Sequence, residues 1–183
     1  IKRKKEGKKI MNDRKIKKLV TAAMLAALVC VATIVIQIPS PNQGYLNLGD
    51  CFVLLSGWLL GPWLGAASAG IGSMLADIIT GYSIYAPGTL VIKACMAIVA
   101  GLIYRAMKEK SAFAAMIVSG IPAQCIMAVG YFFYAGLILG KGLFGEAGAV
   151  LGIQGNIFQS LVGIVTATAL MLIIRKTGLE RFI

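Results

Sequence analysis

The sequence contains no histidine, and its four cysteines lie far apart, with no C-x-x-C pair among them. These absences exclude an H-E-x-x-H zinc motif, a cysteine zinc cluster and any nucleophile that depends on a histidine base. The chain also lacks a G-x-x-x-x-G-K-[ST] phosphate loop and a G-x-S-x-G elbow. We therefore expect a protein that is not an enzyme, with no catalytic residues, no metal site and no cofactor.

Charged residues are scarce as well: they make up 14% of the 183 residues, whereas 58% are hydrophobic and the mean hydropathy is +0.85. This composition is too apolar for an ordinary soluble domain and indicates an integral membrane protein. Acidic residues number only 7 against 18 Lys and Arg, but ten of those 18 lie within residues 1–18. Most of the others flank apolar runs, so the net charge of +11 indicates membrane topology and not nucleic-acid binding.

Three regions follow from these patterns: a basic cytoplasmic segment 1–18, a membrane domain 19–174 and a cytoplasmic tail 175–183. Lys5, Glu6 and Gly7 are what a purine-rich ribosome-binding site would encode. We therefore expect translation to start at Met11, which would leave residues 1–10 untranslated.

The apolar runs predict an all-α bundle of six transmembrane helices. Turn residues separate them, beginning with Pro39 and Pro41 and continuing with Gly61 and Pro62. The expected helices are Leu19–Ile38, Asn47–Leu60, Trp63–Thr80, Thr89–Tyr104, Ser111–Leu139 with a kink at Pro122, and Val150–Ile174. The excess of Lys and Arg at the termini and after the fourth helix predicts that both termini are cytoplasmic. It also places the loops around residues 39–46, 81–88 and 140–148 outside.

Two charges lie inside apolar segments, on either side of an aromatic loop. Asp77 and Lys93 would lie at similar depth in antiparallel helices, and a charge in lipid is costly unless it is paired. We expect a structural ion pair between them, and Lys93 could also contact a ligand.

Further polar side chains converge on the same depth. Asn and Gln side chains cannot face lipid without leaving amide groups unpaired, so they must face the bundle. Hydrogen bonds between helices would satisfy that need, but a small aromatic or heterocyclic ligand, stacked on tyrosine and bound by amides, explains the convergence better. The candidate substrate-binding residues are Asn47, Tyr82, Tyr85, Lys93, Gln124, Tyr131, Tyr134, Asn156 and Gln159.

Small residues recur four apart along two helices. Gly57, Gly61 and Gly65 favour close packing inside the bundle. Ala22 and Ala26 in the first helix, like the neighbouring Ala23 and Ala27, are equally compatible with internal packing and with docking of another protein.

Several segments together resemble the substrate-binding S components of bacterial and archaeal energy-coupling factor (ECF) vitamin transporters. They are TAAMLAAL (Thr21–Leu28), GYLNLGD (Gly44–Asp50), LLGPWLGAASAGIGSMLADIITGY (Leu59–Tyr82) and YAPGTLVIKA (Tyr85–Ala94). The LGD and TLVIK parts are most similar to the branch associated with hydroxymethylpyrimidine or pyridoxine uptake.

The resemblance implies a substrate-specificity subunit in the cell membrane that binds a vitamin or its precursor from outside. It also implies docking, through Ala22 and Ala26, onto a transmembrane coupling protein with two ABC-type ATPases. The alternative is a stand-alone secondary carrier for a small polar heterocyclic metabolite. Such a carrier would usually need an inverted repeat or a proton relay, and the sequence has no convincing example of either.

Overall fold

The computed structural model describes residues 2–39, 45–144 and 148–182, and the side chains of 15–37, 47–144 and 148–180. Its architecture is a bundle of six α-helices, which confirms the predicted fold class. They are α1 (Lys2–Val35), α2 (Gly49–Leu60), α3 (Pro62–Ile79), α4 (Ala86–Met107), α5 (Ala112–Phe133) and α6 (Gly152–Thr177). A π-helical turn, Tyr134–Ile138, extends α5, and 3₁₀ turns at Ala149–Leu151 and Leu179–Phe182 flank α6.

A short β-hairpin joins α1 to α2, where the sequence had predicted only helix ends and a turn. Strand β1 (Gln37–Pro39) pairs antiparallel with β2 (Tyr45–Asn47), and Gln37 lies opposite Asn47. The first helix therefore stops three residues before its predicted end, and the second begins two residues later than predicted.

The surface of the bundle is apolar. Within the described residues, four helical segments are long and apolar enough to cross a membrane: Lys15–Val35, Ala86–Met107, Ala112–Ile138 and Ala149–Thr177. Large apolar side chains such as Leu19, Val91 and Leu161 are more than half exposed on their outer faces. Because lipid solvates such surfaces and water does not, the molecule is a multi-pass membrane protein.

The short helix α2 lies at the centre of the bundle and is buried along almost its whole length. A Cβ atom on Gly57 would lie 2.5 Å from the carbonyl oxygen of Ala97 in α4, and one on Gly65 would lie 2.5 Å from that of Ser56. The glycines therefore let neighbouring backbones touch, as the spacing predicted. Gly61, at φ +85°, forms the corner between α2 and α3.

Ala22 and Ala26 pack inside the bundle, against α3. The hydroxyl of Ser68 donates a 2.8 Å hydrogen bond to the carbonyl oxygen of Ala22, which is 6% exposed. The carbonyl oxygen of Ala26 lies against Gly72. The exposed alanines of this stretch are Ala23 and Ala27. The predicted docking pair therefore lies against α3 in this structure, and docking through α1 stays a prediction.

The helices alternate in direction, so the two ends of the bundle differ. One end, here called the terminal end, holds the Gly61 corner, the turn 108–111 and the end of α6. There Arg105 donates a 3.1 Å hydrogen bond to the carbonyl oxygen of Leu60, and Arg175 donates a 3.0 Å hydrogen bond to the hydroxyl of Tyr104. The opposite end, the loop end, holds the hairpin and the loops after α3 and α5.

Candidate functional site

A buried ion pair lies in the half of the bundle nearest the loop end. Asp50, in the first turn of α2, is fully buried, and Lys93 of α4 is 3% exposed. The ammonium group of Lys93 donates a hydrogen bond to one carboxylate oxygen of Asp50. The peptide N–H groups at the start of α2 also favour a negative charge at this position.

This geometry corrects the expected ion pair, since Lys93 has Asp50 as its partner instead of Asp77. Asp77 is buried on α3, where its carbonyl oxygen accepts a 2.8 Å hydrogen bond from the backbone N–H of Tyr82. Equal distance from the loop made Asp77 a plausible partner but said nothing about which face of α3 it occupies. Asp50, at the end of the GYLNLGD segment, could have been found by the argument that singled out Asp77, because it is also a charge beside an apolar run.

Gln159 of α6 connects the ion pair to the hairpin. Its amide nitrogen donates a 2.8 Å hydrogen bond to the second carboxylate oxygen of Asp50. Its amide oxygen accepts a 2.9 Å hydrogen bond from the backbone N–H of Asn47. The side-chain oxygen of Asn47 in turn accepts a 2.8 Å hydrogen bond from the N–H of Gly49, at the start of α2.

The other contacts of Lys93 come from α5. Its ammonium nitrogen lies 3.2 Å from the sulfur of Met127 and 5.6 Å from the ring centroid of Tyr131. The hydroxyl groups of Tyr131 and Thr89 are 3.0 Å apart. A cation held between a carboxylate, a thioether and an aromatic face is stabilised in the absence of water. Neither Met127 nor Thr89 was predicted as a site residue from the sequence.

Gln124 lies on α5 about one turn before Met127, and therefore further from the loop end than Met127. It is buried, with 3% of its surface exposed. Neither its amide nitrogen nor its amide oxygen has a hydrogen-bond partner among the described residues. A Cβ atom on Gly163 would lie 2.8 Å from this nitrogen and 3.0 Å from the Cβ atom of Asp50. Gln124 and Asp50 are therefore neighbours across the bare backbone of Gly163.

An aromatic layer covers the loop end. The rings of Tyr85 and Tyr134 have centroids 6.2 Å apart, and the Tyr134 hydroxyl donates a 2.9 Å hydrogen bond to the carbonyl oxygen of Ile84. Lys141, from the loop after α5, donates a 2.6 Å hydrogen bond to the Tyr85 hydroxyl. Side chains from two loops thus meet above the buried polar cluster.

The structure gathers most of the predicted site residues into these layers. Asn156 stands apart, because it is half-buried and its side chain makes no hydrogen bond within the described part of the chain. Tyr82 lies in the loop after α3. The described residues contain no group of three or more Cys, Asp or Glu that could hold a metal ion.

The family is decided by a comparison with family models. Residues 13–176 match the model of the ECF-type riboflavin transporter S component. The chain belongs to the ECF-type S components. Its bundle superimposes on a solved S component of a bacterial ECF transporter with a TM-score of 0.63 and 24% identity, over 90% of this chain and 96% of that one.

Two curated relatives match the S component over most of its length. The thiamine precursor transporter HmpT of Lactococcus lactis subsp. cremoris (strain MG1363) is 30% identical over 174 residues, which are 93% of this chain and 95% of the relative. An uncharacterised protein of Pyrococcus woesei is 34% identical over 149 residues, which are 81% of this chain and 95% of the relative. The resemblance seen in the sequence motifs is therefore confirmed for this S component.

Proposed function

We propose that this S component binds hydroxymethylpyrimidine, a thiamine precursor, at the cluster around Asp50 and Lys93. The name of the HmpT relative and the similarity of the LGD and TLVIK segments to that branch support the ligand class. The ligand would enter from outside and pass to a coupling protein that carries two ABC-type ATPases.

The observation that carries this proposal is the buried ion pair with its amide and aromatic neighbours. Hydroxymethylpyrimidine is a small flat ring with hydrogen-bond acceptors in the ring and an amino group and a hydroxyl outside it. Asp50 can accept hydrogen bonds, Lys93 can donate them, and Tyr131 offers an aromatic ring beside Lys93. Groups of this kind fix the orientation of a ligand in an otherwise apolar site.

Access to the cluster requires the aromatic layer at the loop end to part. Tyr85 and Lys141 come from different loops and are joined by a hydrogen bond from the Lys141 ammonium group to the Tyr85 hydroxyl. A contact of this kind is weak enough to break and re-form as a ligand passes. We assign these loops the role of a lid.

Isothermal titration of the purified protein with hydroxymethylpyrimidine, pyridoxine and riboflavin tests the ligand. We expect one hydroxymethylpyrimidine to bind per chain, and Asp50→Asn to weaken that binding at least tenfold. Preferential binding of pyridoxine or riboflavin would refute the proposed ligand while leaving the family intact.

Docking on the coupling protein is assigned to the outer face of α1. Ala23 and Ala27 are exposed and one turn apart, so a partner helix could approach them closely. Ala23→Trp should abolish uptake and co-purification of the coupling protein without loss of ligand binding. The matched change Ala22→Trp should instead disrupt folding, because Ala22 packs against α3.

An uptake assay in cells that lack any coupling protein distinguishes the proposed S component from a stand-alone carrier. Cells that express only this chain should bind the ligand without accumulating it. Accumulation in cells that lack a coupling protein would favour the carrier.

A further inference from the structure

The unsatisfied amide of Gln124 is the most unusual polar group in the described part of the bundle. Buried side-chain amides are nearly always hydrogen-bonded, and an exception points to an unseen partner or to a function. Gln124 leaves both a donor and an acceptor without a partner at 3% exposure. The protein therefore bears a stability cost at a position where an apolar side chain of the same size would have none.

The amide of Gln124 also lies close to the buried ion pair. Gly163 separates Gln124 from Asp50 by no more than bare backbone, and Gln159, one turn earlier on α6, binds the Asp50 carboxylate. Gln124 thus adjoins the ion pair on the side away from the hairpin. A ligand held by Asp50 and Lys93 would bring its far edge to the Gln124 amide.

We propose that Gln124 is the specificity-determining residue, and that its amide binds an amino group and the adjacent ring nitrogen of the ligand through two parallel hydrogen bonds. A glutamine amide makes the same paired contact with the amino group and ring nitrogen of adenine. The inference rests on the proposed function, since hydroxymethylpyrimidine presents such an edge. It further defines the ligand class as amino-substituted nitrogen heterocycles.

The test uses Gln124→Met, which keeps the length of the side chain and removes its polar atoms. If the amide serves only the ligand, the ligand-free variant should be more stable than the parent, with its midpoint of thermal unfolding raised by about 2–4 °C. Affinity for hydroxymethylpyrimidine should fall at least tenfold. Gln124→Leu, a second apolar variant, should change affinity in the same direction.

Ser119→Ala on the same helix is the matched control. Ser119 is buried with its hydrogen bonds complete, because it accepts from the Trp58 indole at 2.9 Å and donates to the carbonyl oxygen of Met116 at 3.2 Å. Its loss should lower the unfolding midpoint and leave affinity unchanged. Gln124→Met should therefore raise stability and lower affinity, whereas Ser119→Ala should lower stability and leave affinity unchanged.

A ligand lacking the amino group completes the experiment. Its affinity for the parent should be about tenfold below that of hydroxymethylpyrimidine, whereas Gln124→Met should bind the two nearly equally. Equal discrimination by parent and variant, or a lower unfolding midpoint for Gln124→Met, would overturn the role of Gln124 while the proposed substrate stands. A parent that binds neither pyrimidine would overturn both.

Discussion

At the scale of single residues, the stability of the site depends on how the Asp50 carboxylate is satisfied. One of its oxygens accepts from Lys93 and the other from Gln159, and the carboxylate is fully buried. Removing one partner of such a pair costs more than the pair contributes, because the remaining charge has no water to solvate it. Lys93 is therefore needed for folding whether or not it contacts a ligand.

Lys93→Met should destabilise the protein by about 3–5 kcal/mol, since it leaves Asp50 charged and buried with Gln159 as the remaining side-chain donor among the described residues. The double variant Asp50→Asn with Lys93→Met removes both charges and keeps an oxygen that can accept from Gln159. It should regain most of the lost stability, as measured by thermal unfolding in detergent.

Ligand affinity of that double variant decides between the two roles of Lys93. We expect the double variant to regain stability but to bind hydroxymethylpyrimidine weakly, because both charged groups of the site are gone. A double variant that binds hydroxymethylpyrimidine as tightly as the parent would leave the pair with a structural role alone.

The residue pattern predicted which polar side chains face the interior, but not which of them meet. Lys93, Tyr131 and Gln159 share one cluster with Asn47 of β2, and the types and helical positions of the first three pointed to it. The predicted partner of Lys93, Asp77, was wrong. Depth along a helix can be counted from a sequence, whereas the direction in which a side chain points around the helix axis depends on packing. The contribution of Asn47 is partly a backbone N–H, which no side-chain pattern reports.

At the scale of elements, the contact between α2 and α4 fixes the distance between Asp50 and Lys93, one on each helix. Gly57 and Gly101 form this contact: a Cβ atom on Gly101 would lie 2.8 Å from the carbonyl oxygen of Gly57. A Cβ atom on Gly57 would in turn lie 2.5 Å from the carbonyl oxygen of Ala97 in α4. Both carbonyl oxygens belong to the backbone and cannot rotate away, so a side chain added at either glycine must separate the helices.

Gly57→Ala should therefore destabilise the protein by about 1–3 kcal/mol and weaken ligand binding, because the helices move apart. Gly152→Ala is the control: outside its own helix and its chain neighbours, no atom of the described residues lies within 4 Å of the added Cβ, and alanine is the better helix former. It should be neutral or stabilise by up to about 1 kcal/mol. Equal effects of the two changes in thermal unfolding would contradict the close-contact argument.

The helices were predictable because long apolar runs ended in recognisable turn residues. The hairpin was not, since its strands are three residues each and too short for an alternating pattern to emerge. The apolar residues Ile36 and Ile38 continued the first run beyond the point where α1 ends.

At the scale of the whole molecule, charge is divided between the two ends of the bundle. The basic residues of the first 18 positions, of the turn after α4 and of the tail belong to the terminal end, whereas the loop end has Lys141. The alternating helices place both termini at one end. The positive-inside rule predicts that this end faces the cytoplasm.

Single cysteines in a variant without Cys30, Cys51, Cys95 and Cys125 test this orientation. Ser83, in the loop after α3, and Glu109, in the turn after α4, are both exposed and lie at opposite ends. In intact cells an impermeant thiol reagent should label Ser83→Cys and leave Glu109→Cys unlabelled until the membrane is opened. The opposite pattern would invert the topology, and would put the Asp50–Lys93 site nearest the cytoplasm, where a ligand taken up from outside could not reach it first.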